Sequence, residues 1–144
     1  MVTRWIVLLM LSFAVGAGCS DKGPQRVKTF PVKGVILVDG KPAGNLAIEC
    51  HNVNGMDKQN PTMSQALTDE QGKFSIGTYE AGDGVPAGDY SLTFLWGDWQ
   101  PFSMTYGGPD KLKDRYRDPK TSPAKFTVKP GVPTELGEIK LTTE

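Results

Sequence analysis

Residue types that carry out acid–base, nucleophilic or metal chemistry are scarce in this chain. Its 144 residues include one histidine, His51, and two cysteines, Cys19 and Cys50. A zinc site needs three or four ligands, so this set is too small for a zinc enzyme. His51 has no acid or nucleophile motif around it, and we expect an outward-facing imidazole that is solvated or locally hydrogen-bonded. The sequence therefore predicts no metal, no cofactor and no catalytic residue, and the protein is expected not to be an enzyme.

The acidic residues do not form a calcium loop. Asp69 and Glu70 stand beside Gly72, but the alternating ligands and the distal glutamate of an EF-hand loop are absent. Turn chemistry accounts for both acids. Three more aspartates recur at four-residue spacing among lysines and arginines, a pattern typical of a solvated mixed-charge segment: Asp110, Asp114 and Asp118.

One segment, residues 96–106, combines aromatic and polar side chains in a way that suits ligand binding. Its candidate ligand-binding residues are Trp99, Phe102, Tyr106, Asp98 and Gln100. Aromatic faces stack on sugars or receive a peptide, and neighbouring polar groups supply hydrogen bonds. In the alternative interpretation Trp96 ends a core strand and the other rings fold back as a lid, since large aromatic side chains usually belong to a core.

The N-terminus predicts export and lipidation. Arg4 precedes an apolar run at residues 5–15, which is too short to span a bilayer and fits a signal peptide. The small residues directly before Cys19 resemble the lipobox of bacterial lipoproteins, although that family usually has an aliphatic residue where Gly16 stands. The resemblance implies that residues 1–18 are removed and that Cys19 carries a diacylglycerol and an N-acyl chain such as palmitate. In the alternative, an ordinary signal peptide, Cys19 is a bystander and is free to form a disulfide with Cys50.

Composition narrows the partners and the cellular location. The whole chain has zero formal charge; removal of residues 1–18 takes away Arg4 and no acid, leaving 15 basic and 16 acidic residues. No basic stripe is present, so no nucleic acid partner is expected. Residues 19–30 are polar and predict a tether. Ser20 follows Cys19 where inner-membrane lipoproteins often have aspartate, which favours the outer membrane, with the domain facing the periplasm or the cell surface.

The domain itself, residues 31–144, has the pattern of short strands separated by turns. Alternating apolar residues predict seven strands: 31–38, 45–52, 63–68, 73–76, 89–96, 125–128 and 135–141. Asp39-Gly40 predicts a tight hairpin leading to the second strand, and the last two strands are predicted to pair around Pro130-Gly131. Residues 110–116 are compatible with one helical turn, and residues 97–109 with a long loop. This pattern predicts an all-β, antiparallel sandwich.

Several motifs together resemble the carboxypeptidase-regulatory-like, or transthyretin-like (prealbumin-like), domain of small bacterial lipoproteins. In chain order they are Val32-Lys33-Gly34-Val35, Asp39-Gly40-Lys41-Pro42, Thr68-Asp69, Gly72-Lys73-Phe74, Val85-Pro86-Ala87-Gly88-Asp89-Tyr90 and Tyr116-Arg117-Asp118-Pro119. The resemblance implies a Greek-key β-sandwich and no particular activity. Hydroxyisourate hydrolases share that fold, but they need several histidines and a Tyr-Arg-Gly-Ser tail, whereas this chain ends at Leu141-Thr142-Thr143-Glu144.

Two expectations for function follow. The first is a non-enzymatic, membrane-anchored lipoprotein of the cell envelope that acts as a structural or interaction domain. The alternative is a glycan- or peptide-binding module that uses the aromatic segment 96–106. In both cases the expected partners are the membrane, through the N-terminal lipid, and an envelope protein or polysaccharide.

Overall fold

The computed structural model describes residues 26–144, all of whose regular elements are β-strands. The predicted signal peptide 1–18, the lipidation site Cys19 and most of the tether lie outside the described residues. None of the described elements is a helix long and apolar enough to cross a membrane. The strands are β1 Thr29–Phe30, β2 Val32–Val38, β3 Lys41–Pro42, β4 Ala47–Asn52, β5 Ser64–Leu67, β6 Lys73–Ser75, β7 Val85–Pro86, β8 Gly88–Leu95, β9 Asp98–Gln100, β10 Thr105–Gly107, β11 Lys125–Val128 and β12 Thr134–Leu141.

Two four-stranded layers form the sandwich. One has the order β11-β8-β4-β5, and in the other β2 pairs with β12 on one side and with β3 and β6 on the other. The layers are joined along one edge, where Gln65 of β5 and Gly77 after β6 exchange backbone hydrogen bonds of 3.0 and 2.9 Å. The predicted all-β sandwich is confirmed, and the seven predicted strands correspond to β2, β4, β5, β6, β8, β11 and β12.

Alternation within the strands builds the core between the layers. Along β2 every second residue is buried, and β8 turns Tyr90, Leu92 and Phe94 inward. Phe74 of β6 lies against Gly34 so closely that a Cβ at position 34 would be 2.8 Å from its ring. The absence of a side chain at Gly34 therefore makes room for the Phe74 ring.

The Asp39-Gly40 turn forms as predicted, but its return strand is different. Both residues have positive φ, 51° and 77°, as a type I′ hairpin turn requires. The returning segment is the two-residue β3, whereas the predicted strand 45–52 appears as β4 in the opposite layer. Asn45, with φ 55°, lies where the chain crosses over, and the fully buried Leu46 follows it.

The predicted C-terminal hairpin is wrong. β11 pairs with β8, and β12 pairs with β2 in the parallel sense, from Thr134↔Val32 to Leu141↔Val38. The two strands lie in opposite layers, and Val128 and Ile139 bury their side chains in the core that the layers share. A register shift between Glu135 and Glu138, at Gly137 with φ 65°, interrupts β12.

Residues 110–116 form successive turns rather than the predicted helical turn. Lys113 and Asp114 both have φ of 58°, which a right-handed helix excludes. The Asp110 carboxylate accepts hydrogen bonds from the backbone N–H groups of Trp96, Leu112 and Asp114 at 2.9–3.0 Å. These bonds place Leu112, which is fully buried, in the core next to the end of β8.

Candidate functional site

The aromatic segment contains a small hairpin where a loop was predicted. β9 and β10 pair in antiparallel register, with Trp99 opposite Tyr106 and Gln100 opposite Thr105. The hairpin follows directly on β8. Gly97 has no room for a side chain, because a Cβ there would be 2.7 Å from the Gly107 carbonyl oxygen. The base of the hairpin is therefore closely packed backbone.

Tyr106 fixes this hairpin to the sandwich. Its hydroxyl accepts a 2.7 Å hydrogen bond from the Gly97 N–H and lies 2.8 Å from the Asn45 carbonyl oxygen and 3.0 Å from that of Leu95. Burial raises the pKa of this phenol above its usual value, so the hydroxyl remains protonated at neutral pH. One side chain thus connects the hairpin to both β8 and the crossover before β4.

A cavity of about 630 Å³ opens beside the hairpin. Its floor is the outer face of sheet residues Ala47, Gln65 and Leu67, and Trp99 and Tyr106 line it from the hairpin. Trp99 is 54% exposed, so its ring is available to solvent. Met63, just before β5, and Leu67, at the end of β5, are also exposed apolar side chains, and both line the cavity.

The loop at residues 77–84 supplies the remaining lining and is held in place by its own hydrogen bonds. The Asp83 carboxylate accepts the N–H groups of Thr78 and Tyr79 at 2.7 and 3.2 Å, and the Thr78 hydroxyl donates to the Gly84 carbonyl at 2.6 Å. The Tyr79 hydroxyl accepts the Val27 N–H at 3.0 Å. A loop with this many internal bonds presents a pre-formed surface, which lowers the ordering cost of binding.

The structure separates the five predicted ligand-binding residues. Trp99 and Tyr106 line the cavity. Asp98 forms an exposed ion pair with Lys111 at 2.6 Å, Gln100 lies outside the lining, and Phe102 stands fully exposed at the hairpin tip. Residues that the sequence did not single out complete the cavity: Met63, Gln65, Leu67, Thr78, Tyr79 and Glu80. The sequence signal that could have indicated this cavity is the pair of apolar residues Met63 and Leu67 in the weaker predicted strand 63–68, both of which are exposed.

Cys50 and His51 line a second cavity of about 540 Å³ at the far end of β4. Burial raises the pKa of the Cys50 thiol to about 12, which keeps it protonated and unreactive as a nucleophile. His51 Nε2 lies 2.8 Å from the Thr93 hydroxyl and 3.6 Å from a Glu49 carboxylate oxygen, so its imidazole is locally hydrogen-bonded. Within residues 26–144 no group of three His, Cys, Asp or Glu side chains is arranged to hold a metal ion.

Comparisons with known proteins assign no family. No family model matches the chain, and no curated protein matches it. Three solved structures are similar to this chain. A 9R-lipoxygenase from Cyanothece PCC8801 is 14% identical with a TM-score of 0.41, and the match covers 81% of this chain and 18% of that one. A DUF3823 family protein from Parabacteroides merdae is 11% identical with a TM-score of 0.40 (coverage 81% and 46%), and an (S)-allantoin synthase is 16% identical with a TM-score of 0.44 (coverage 80% and 41%). The chain spans less than half the length of each of these proteins.

The hydroxyl of Tyr106 offers a direct test of how the hairpin is held. We expect Tyr106→Phe to keep the ring but leave three backbone groups short of a partner, lowering the free energy of unfolding by about 1–2 kcal/mol. Urea denaturation measures this change. Amide hydrogen exchange should rise at Gly97 and across β9–β10 and stay unchanged in β2. An unchanged exchange rate at Gly97 would show that the hydroxyl does not hold the hairpin.

Proposed function

We propose that this protein is a non-enzymatic lipoprotein, anchored in the cell envelope through Cys19, whose domain binds a ligand in the cavity beside the β9–β10 hairpin. The lipobox-like residues before Cys19 support the anchor. The order of motifs from Val32 to the C-terminal strand, together with the sandwich architecture, supports a carboxypeptidase-regulatory-like, transthyretin-like domain. An outer-membrane location, with the domain in the periplasm or at the cell surface, is part of this proposal.

The exposure of Trp99 is the observation that carries the binding proposal. A lid residue would bury its ring against the core, as Trp96 does in part, whereas Trp99 is 54% exposed and lines the cavity together with Tyr106. Aromatic faces with a nearby amide group, here Gln65, suit the alternating apolar and polar faces of a sugar ring or an extended peptide. We infer an envelope glycan or peptide as the ligand.

We expect Trp99→Ala to remove binding while leaving the fold intact. Exposed substitutions change the free energy of unfolding by about 0.5 kcal/mol or less, so the melting temperature should shift by no more than about 2–4 °C. Retention of the purified protein on immobilised envelope polysaccharide or on envelope peptides should be lost. Val132→Ala, at a position with 53% exposure outside the cavity, is the matched control and should bind like the wild type.

The result also separates the binding module from a purely structural domain. A structural role predicts that the wild type is retained on no envelope fraction and that Trp99→Ala melts several degrees lower. That combination would end the binding proposal and leave the tethered structural domain.

A further inference from the structure

We propose that the tip of the β9–β10 hairpin, residues 101–104, inserts into the interface of the membrane that carries the lipid anchor. The tip is the most exposed apolar feature of the described chain: Phe102 is fully exposed and Met104 is 76% exposed. Exposed apolar patches on a protein mark sites that interact with another protein or with a membrane. The inference rests on the proposed function, because the anchor at Cys19 would hold the domain close to a membrane.

The chemistry of the hairpin favours a lipid surface over a protein partner. Residues 99–109, eleven positions in a row, include no charged side chain. Asp98 precedes this run, and Asp110 and Lys111 follow it. Asp98 and Lys111 form an ion pair, and the Asp110 carboxylate accepts backbone N–H groups. An aromatic ring, a flexible thioether and an absence of charge suit the boundary between headgroups and acyl chains, where amphipathic and apolar side chains gather.

The hairpin is also rigid enough to present its tip in one direction. The Tyr106 hydroxyl ties its base to Asn45, Leu95 and Gly97. At the tip, the Ser103 and Thr105 hydroxyls are 2.7 Å apart, and Met104 adopts a positive φ of 51°, which closes the turn. Insertion would therefore orient the whole domain.

The tether meets the domain beside the cavity that the hairpin lines. The described chain begins at Arg26, whose guanidinium pairs with Glu80 at 2.9 Å and lies over the Tyr79 ring. Tyr79 and Glu80 line the same cavity as Trp99, and this cavity runs along β5 from Met63 to Leu67, about 13 Å at the usual rise of a strand. Seven chain steps connect Arg26 to Cys19, which reach about 24 Å when extended. The extended tether is therefore longer than the cavity beside which Arg26 and the hairpin both lie.

Fluorescent probes in the full-length, membrane-reconstituted protein test the inference. Phe102→Cys is labelled with a polarity-sensitive nitrobenzoxadiazole dye in a Cys50→Ala background, because Cys50 is only partly buried and lines a cavity. Val132→Cys is the matched control, because it lies near the opposite end of β8 from the hairpin. Val132 follows β11, whose Val128 pairs with Gly88 at the start of β8. The start of β8 is about 23 Å from its other end, which leads into the hairpin. Vesicles of phosphatidylethanolamine and phosphatidylglycerol carry the protein.

We expect the emission of the probe at position 102 to shift to shorter wavelength and its quenching by iodide to fall strongly. The probe at position 132 should keep the emission wavelength and the iodide quenching that it has in water. Phe102→Cys combined with Met104→Ser should reduce the shift. Equal quenching of both probes, or shielding at 132 instead, would overturn the inference. Shielding at 102 in native membranes but not in pure lipid vesicles would assign the tip to a protein and would also overturn it.

A lack of acylation at Cys19 can be detected independently of whether the hairpin tip inserts into the membrane. Without acylation Cys19 takes up a second dye molecule, so the labelling ratio reports on the proposed function independently of the emission shift. An unacylated protein whose 102 probe still shifts when vesicles are added would contradict the anchor and support the tip. An acylated protein whose probe at position 102 shows no emission shift would support the anchor and contradict insertion of the tip.

Discussion

Phe74→Ala is expected to lower the free energy of unfolding by about 3–5 kcal/mol. Phe74 is 5% exposed, and its ring fills the space left by the missing side chain of Gly34. Truncation removes the apolar contacts of the ring and leaves a cavity between β2 and β6, which the hydrogen-bonded pairing of these strands prevents from closing. In a domain of this size, the melting temperature should fall by roughly 10–25 °C.

The same substitution at Phe102 is the matched control. Phe102 loses no buried surface on truncation, because it is fully exposed in the folded protein. We expect Phe102→Ala to change the free energy of unfolding by about 0.5 kcal/mol or less. Thermal denaturation of both variants, followed by near-ultraviolet circular dichroism, measures the difference. Similar melting temperatures for the two variants would contradict the inward register of β6.

Cys19→Ala is expected to abolish lipidation of the protein completely. The thioether-linked diacylglycerol and the amide-linked acyl chain both depend on Cys19, and two or more chains are what make anchoring stable. Cells fed a clickable fatty acid should label the wild type and leave Cys19→Ala unlabelled, with the variant accumulating as an unprocessed or mis-sorted form. Cys50→Ala removes the other cysteine and should keep the full label. Labelling of Cys19→Ala at the wild-type level would refute lipidation at this position.

The strands of the sandwich were predictable because their signals are local. Period-two alternation in β2 and β8, and the turn residues Asp39-Gly40, act over a few neighbours, and the structure contains each of them. Local signals do not decide which strands pair with one another. The chain after Val128 turns at Pro130-Gly131, a signal that a hairpin would also give. The pairing of β11 with β8 and of β12 with β2 depends on strands that lie far away in the sequence.

The candidate site was predictable in part for the same reason. Trp99 and Tyr106 stood out as aromatic residues near polar ones, and they do line one cavity. Tyr79 and Leu67 reach it from distant parts of the chain, through the bridge between Gln65 and Gly77, and no local pattern announces such a meeting. The hairpin register that turns Trp99 toward the cavity and leaves Phe102 at the tip likewise depends on how Tyr106 docks on the sandwich.

The parallel pairing of β12 with β2 affects when the chain can fold during synthesis. β2 is among the first strands made and β12 is the last, and beyond them Asp39 and Thr143 join across 104 residues by a 2.7 Å hydrogen bond. Until the final residues emerge, β2 has an open edge and the apolar side chains of Val32 and Ile36 lack part of their cover. Contacts so far apart in sequence also slow folding. The sandwich can therefore be completed only after almost the whole domain has been made, and until then the edge of β2 that pairs with β12 stays open.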